Sequence, residues 1–150
     1  ELEQIRTTVF RQLMFAEFEL YTHESFEKGI PLTAEDYNAK WHELNVKYFG
    51  PEMVVDSEID VEWSRIPHFY SDFYVYQYAT GYAAASAFAK SILNKEPNAV
   101  EKYVGFLKSG GSDYPIEILK KAGVDMTTPK PLEATIDRFN ELLDMLEKEI

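Results

Sequence analysis

The sequence contains no cysteine, which removes disulfides, thiolate zinc sites and cysteine nucleophiles together. Basic residues are also scarce: 15 Lys and Arg stand against 26 Asp and Glu, for a formal net charge of −11. Phosphate recognition needs a basic face, and no Lys/Arg cluster is present, so nucleic acid is excluded as the main partner. Long apolar runs are missing as well. The longest uncharged stretch, Phe73 to Ala89, carries Gln77, Thr80, Gly81 and several tyrosines, whereas a membrane span needs about 20 mainly apolar residues. It reads as a buried helix of a soluble protein with no membrane partner. No charged n-region, apolar h-region or cleavage site opens the chain. Glu1-Leu2-Glu3-Gln4-Ile5 is already in helical pattern, as expected of a piece of something longer. The cysteine-free composition suits a reducing, cytoplasmic compartment.

What is present argues for a packed core. Aromatic residues make up 15% of the 150 residues, too many for a chain unable to bury itself, and the length can close a core without staples. From Leu2 to about Tyr21 apolar residues fall at Leu2, Ile5, Val9, Leu13, Ala16 and Leu20, with a second stripe of Phe10, Met14, Phe18 and Tyr21. Both have helical spacing, and a helix apolar on two faces belongs in an interior. Gly29 and Pro31 stop it. Thr33-Ala34-Glu35-Asp36 has the form of a capping box and opens a helix to about Phe49, ended by Gly50-Pro51. Glu52 to Glu62, with β-branched residues and interspersed acids, reads as an extended connector.

Helices are further expected from His68 to about Asn94, from Pro97 to about Lys108, and from Pro115 to Ala122 with Gly123 as C-terminal cap. Ser109-Gly110-Gly111-Ser112 is a helix stop followed by an N-cap. The last helix starts at Leu132, with Leu132, Ile136, Phe139, Leu143, Leu146 and Ile150 on one stripe. The sum is an all-α fold, a single helical region over residues 1–150 with five or six helices.

Several apparent motifs carry no chemistry. His23-Glu24-Ser25-Phe26-Glu27 and His42-Glu43-Leu44-Asn45-Val46 only approach the His-Glu-x-x-His pattern, in which two imidazoles four residues apart reach one zinc. With three histidines in the chain, both read as surface or capping histidines, and no metal ligand is assigned. The acidic run from Asp56 to Asp60 lacks the glycine and the bidentate Glu of a calcium loop, having Val61 and Pro67 at those places. Gly110-Gly111-Ser112 lacks the Lys-Ser/Thr of a phosphate-cradling loop.

The segment from Ile66 to Tyr82 is more informative. Tyr70, Tyr74, Tyr78 and Tyr82 recur every fourth residue. Each step of four advances about 40° on an α-helix, so neighbours in the series share a face. Tyr74 and Tyr78 then point the same way, just after His68. Two readings stand: a core or interface stripe whose hydroxyls find backbone partners, or a row of phenols lining a cleft and able to bind a developing oxyanion. The small residues after it, from Ala79 to Ser86, let another helix approach closely.

On these residues, together with Arg6-Thr7-Thr8-Val9-Phe10-Arg11-Gln12, Phe15-Ala16-Glu17-Phe18-Glu19, Trp63-Ser64-Arg65-Ile66-Pro67-His68-Phe69-Tyr70, Phe73-Tyr74-Val75-Tyr76-Gln77-Tyr78-Ala79-Thr80-Gly81, Phe106-Leu107-Lys108-Ser109-Gly110-Gly111-Ser112 and Ala122-Gly123-Val124-Asp125-Met126, the chain resembles the C-terminal part of the oligoendopeptidase F enzymes. These belong to the thimet-oligopeptidase family of zinc peptidases. The resemblance implies an all-helical bundle forming part of a bowl-shaped, zincin-type catalytic domain that cleaves short peptides in a deep cleft. It implies zinc in the complete enzyme, held by ligands upstream of this chain, so that the chain alone is inactive and its partner is the rest of the same domain. It assigns His68, Tyr74 and Tyr78 to stabilising the tetrahedral intermediate, and Tyr70, Tyr76 and Tyr82 to binding substrate. The thimet branch has a further tyrosine where this chain has Gly81, one position from Tyr82. A non-catalytic helical binding module is the alternative.

Overall fold

The computed structural model describes residues 1–149; among them it contains helices and no strand. Helix α1, Leu2–Ile5, passes through a π-helical turn, Arg6–Phe10, into α2, Arg11–Glu27. Helix α3, Ala34–Phe49, follows, then two 3₁₀ segments, Ser57–Arg65 and Pro67–Tyr70. The remaining helices are α4, Tyr76–Leu93; α5, Ala99–Ser109; α6, Pro115–Lys121; and α7, Lys130–Glu147.

Local chemistry sets most of these boundaries. Thr33 and Asp36 form the expected capping box: the Asp36 N–H donates to Thr33 Oγ1 at 3.3 Å and the Thr33 N–H to Asp36 Oδ2 at 2.8 Å. Together they satisfy two otherwise orphaned donors at the start of α3. Gly123, at φ +92°, closes α6, and the Val124 N–H reaches back to the Leu119 carbonyl at 2.9 Å. That left-handed residue is where glycine costs nothing and a Cβ does. Pro115 occupies the first turn of α6, where its missing N–H is no loss. The N-cap there is Tyr114 rather than Ser112, and the Tyr114 N–H donates to Asp113 Oδ1 at 2.9 Å.

Other expectations are corrected as well. The segment read as extended from Glu52 to Glu62 is 3₁₀-helical from Ser57. This turns Glu62 into the interior, where its Oε1 accepts from Arg11 Nη2 at 2.7 Å and from Arg65 Nη2 at 2.8 Å; burial of that acid overrides the β-branched preference around it. In the first helix the buried series is Ile5, Val9, Met14 and Phe18, which starts on one predicted stripe and finishes on the other. The π turn accounts for the switch, because it inserts one extra residue and rotates everything after it. Along α7, Leu132, Ile136, Leu143 and Leu146 are exposed, while Pro131, Ala134 and Thr135 are buried. Ile150 lies outside the described residues.

The chain packs as two compact units, Arg6–Ala79 and Glu1–Ile5 with the chain from Thr80 onward. The first is centred on Met14, Phe15 and Phe18 of α2, Trp41 and Leu44 of α3, Ile66 and Val75. Its rings lock together, with Trp41 5.3 Å from Phe15 and edge-on to Phe18 at 4.9 Å. The second surrounds Ala84 and Phe88 of α4 with Ala122 and Val124, against which Tyr103, Phe106, Leu119 and Met126 pack. Ala79, Ala83 and Ala84 are buried while Gly81 and Ala85 are exposed, so the small residues serve one face of α4. No helix among the described residues is long and apolar enough to cross a membrane.

Candidate active site

His68 sits on the short 3₁₀ segment opened by Pro67, and Tyr78 in the first turns of α4. Between them the chain makes a tight link in which the Tyr74 N–H donates to the Ser71 carbonyl at 3.1 Å. Helix α4 begins only at Tyr76, so Tyr70 and Tyr74 are not helical partners of Tyr78 as the four-residue spacing predicts. Tyr74 and Tyr78 nevertheless meet. The Tyr78 hydroxyl donates to the Tyr74 hydroxyl at 3.2 Å and lies 3.5 Å from His68 Nε2. The His68 ring is nearly parallel to that of Tyr74 and edge-on to that of Tyr78, both at 6.0 Å, and the two tyrosines cross at 87°.

These three side chains form a presented cluster. Tyr74 is 41% exposed and Tyr78 36%, and their hydroxyls bond to each other rather than to backbone. Val75, wholly buried between them, anchors the link. The hydrogen bond that Tyr78 donates to Tyr74 raises the Tyr78 pKa, with partial desolvation adding to it. Because Tyr74 accepts from Tyr78, its own O–H is left to donate outward.

The other three tyrosines stand apart from the cluster. Tyr70 is 88% exposed and borders a cleft of about 290 Å³ with Phe18, Glu19, His23, Trp63 and Phe69. The Tyr76 side chain is exposed and makes no hydrogen bond or ring contact among the described residues. Tyr82 belongs to the second unit, half-buried in a groove that Glu1 and Arg138 also line. Burial pushes its phenol up, Glu1 adds to the shift and Arg138 opposes it.

Sequence spacing misses the groups behind the link. Phe73 adopts φ +52°, a left-handed conformation uncommon for a residue with a Cβ. Its N–H donates to Glu19 Oε1 of α2 at 2.8 Å, and its ring lies 4.5 Å from that of His23, one turn further along α2. Glu19 is only 3% exposed; burial pushes its carboxyl up, while the Phe73 bond pulls the other way. The signal for Glu19 was an acid four residues after Phe15 and beside Phe18, on the apolar face of a helix.

The remaining histidines have structural partners. His23 packs on Phe73, and His42 Nδ1 meets Asp60 Oδ1 at 2.7 Å, tying α3 to the first 3₁₀ segment. The acidic run enters that segment from Ser57 onward, with Asp56 at its N-cap, and Gly110, at φ +51°, caps α5. No group of three or more His, Asp or Glu among the described residues could hold a metal ion. The residues described therefore do not fit a zinc centre.

Known proteins resemble this chain over nearly its whole length. Residues 1–138 match peptidase family M3. The chain is 56% identical over 147 residues to oligopeptidase PepF of Bacillus subtilis, covering 98% of this chain and 22% of that protein. It is 46% identical over 147 residues to the plasmid oligoendopeptidase F of Lactococcus lactis subsp. cremoris, covering 98% of this chain and 24% of the relative. The crystal structure of oligoendopeptidase-F from Enterococcus faecium superposes with a TM-score of 0.95 at 53% identity, over 98% of this chain and 28% of that one. The chain thus spans about a quarter of the length of these relatives and has the helical fold of the corresponding stretch. By the extent of the family match, reinforced by these identities, it belongs to peptidase family M3.

Proposed function

We propose that this chain supplies one wall of the active-site cleft of a zinc-dependent oligoendopeptidase hydrolysing short peptides. In this reading His68, Tyr74 and Tyr78 stabilise the tetrahedral intermediate. The observation that carries it is the Tyr78–Tyr74 hydroxyl pair, exposed and joined at 3.2 Å beside His68, in a chain of peptidase family M3. As the substrate carbonyl is attacked, its oxygen gains charge and pulls on whatever donors face it. Tyr74 donates its proton to that oxygen, and Tyr78, donating to Tyr74, strengthens it by polarising the shared hydroxyl. The upward shift of Tyr78 keeps its phenol protonated at neutral pH. His68 holds the Tyr78 ring edge-on and offers Nε2 to the same polar cluster.

Tyr70, Tyr76 and Tyr82 are substrate contacts in this reading, each with a hydroxyl that a bound peptide's backbone can engage. The zinc that the family implies is held elsewhere in the full-length protein, and the rest of the same catalytic domain is this chain's partner. The isolated chain is expected to cleave nothing. A reducing, cytoplasmic location fits the cysteine-free sequence.

Changing Tyr78 to Phe in the full-length protein tests the assignment. The ring keeps its packing while the proton donated to Tyr74 is lost, so kcat on a short peptide is expected to fall about tenfold or more, up to the roughly 10²-fold that removing an oxyanion donor itself costs. An unchanged kcat removes Tyr78 from the reaction.

A further inference from the structure

We propose that Glu19 is a positioning residue for Tyr74, fixing through the Phe73 N–H the left-handed kink that brings the Tyr74 hydroxyl onto Tyr78. The catalytic consequence rests on the oxyanion reading above; the conformational claim does not. Phe73 immediately precedes Tyr74, so its φ and ψ set where the Tyr74 ring is thrown. At φ +52° a residue with a Cβ sits higher in energy than in its right-handed alternative, and the kink persists only if its surroundings determine it. Three contacts do so: the Glu19 Oε1 acceptor at 2.8 Å, the His23 ring at 4.5 Å, and the wholly buried Val75 on the far side of Tyr74. Of these, only Glu19 bonds to the kinked peptide itself. Its carboxylate is an acceptor with no donor of its own, buried on a helix that also carries Phe15 and Phe18 of the core. It is therefore a fixed point against which the link is set. A surface acid would offer no such reference, because its rotamers are free.

The kink and the chemistry are read separately in the full-length enzyme. With 3-fluorotyrosine at position 74, its fluorine resonance reports the ring environment. Glu19→Leu keeps bulk and removes the acceptor; Glu19→Asp keeps charge but shortens the reach; Glu19→Gln keeps an acceptor oxygen. The Leu and Asp variants are expected to move or split the resonance and to lower kcat about ten- to hundredfold with little change in KM. Gln is expected to restore both. On a Tyr74→Phe background, Glu19→Leu adds no further loss in kcat. A resonance unmoved by both Leu and Asp, or a Gln variant as disturbed as Leu, overturns the positioning role. If Tyr74→Phe leaves kcat unchanged while Glu19→Leu still moves the resonance, the kink is set by Glu19 and the oxyanion reading is what fails.

Discussion

Replacing Glu62 by Leu probes how the segment leading to His68 is held. The Glu62 carboxylate is buried, and its Oε1 takes both Arg11 Nη2 at 2.7 Å and Arg65 Nη2 at 2.8 Å. It thereby pins the first 3₁₀ segment to α2. Removing one partner of a buried ion pair costs about 3–5 kcal/mol, because the other charge is left without compensation. Two features lower that figure here. Arg65 is 74% exposed and recovers its hydration, whereas Arg11, at 31%, recovers only part. Glu62 Oε2 is buried with no partner among the described residues, a cost that Leu removes. The net loss is about 2 kcal/mol, equivalent to a roughly 30-fold rise in local opening at 1.36 kcal/mol per tenfold. Hydrogen exchange of backbone amides over residues 57–70 in the full-length protein measures it, since local opening free energies are read directly there. The double variant R11M/E62L should recover part of the loss by removing the stranded guanidinium. Exchange within twofold of the unaltered protein in E62L would refute the clamp.

Two further outcomes follow from the structure. The Tyr48 phenol is pushed up to about 12 by burial and by its hydrogen bond to Glu17, 3.1 Å away. A phenol raised in the folded state stabilises fully below its unfolded value, near 10, and the contribution drains away as pH rises toward 12. Alkaline unfolding should therefore steepen across that interval, and Tyr48→Phe should flatten it; an unaltered slope in the variant would exclude Tyr48 as the source. Gly123→Ala should cost about 1–2 kcal/mol through its φ of +92° rather than through crowding. The nearest atom to the added Cβ is Lys102 Cδ at an ordinary 3.5 Å. Faster exchange at the end of α6 with little change elsewhere is expected, and no change would show that the turn tolerates a side chain.

Much of the helical layout was legible in the residues themselves, because caps and stops act locally. Thr33 with Asp36, Gly123 and Pro115 each mark a boundary that the structure confirms. What was not legible depends on tertiary packing. The 3₁₀ path from Ser57 follows from burial of Glu62 between two arginines distant by 51 and 3 residues, and no spacing rule foretells the first. The π turn at Arg6–Phe10 shifts the buried series from Val9 to Met14, so each predicted stripe captures half of it. At the site, the four-residue recurrence singles out Tyr74 and Tyr78 but assigns their meeting to one continuous helix. The structure brings them together across a kink at Phe73 instead, held by an acid whose burial no periodicity in the tyrosine segment reveals.

In the proposed function the Tyr74–Tyr78 pair has a preference, binding an oxygen more strongly as it becomes tetrahedral and charged. Its direct measurement compares two affinities in the full-length enzyme with Tyr74 and Tyr78 both changed to Phe. One is for a short peptide substrate; the other is for the same peptide carrying a tetrahedral phosphinic group in place of the scissile amide. A wall that serves the transition state discriminates between them. With this preference the double variant is expected to lose about 10²-fold or more in affinity for the tetrahedral analogue while substrate binding changes little. Equal affinity of the variant and the unaltered enzyme for the analogue would contradict it.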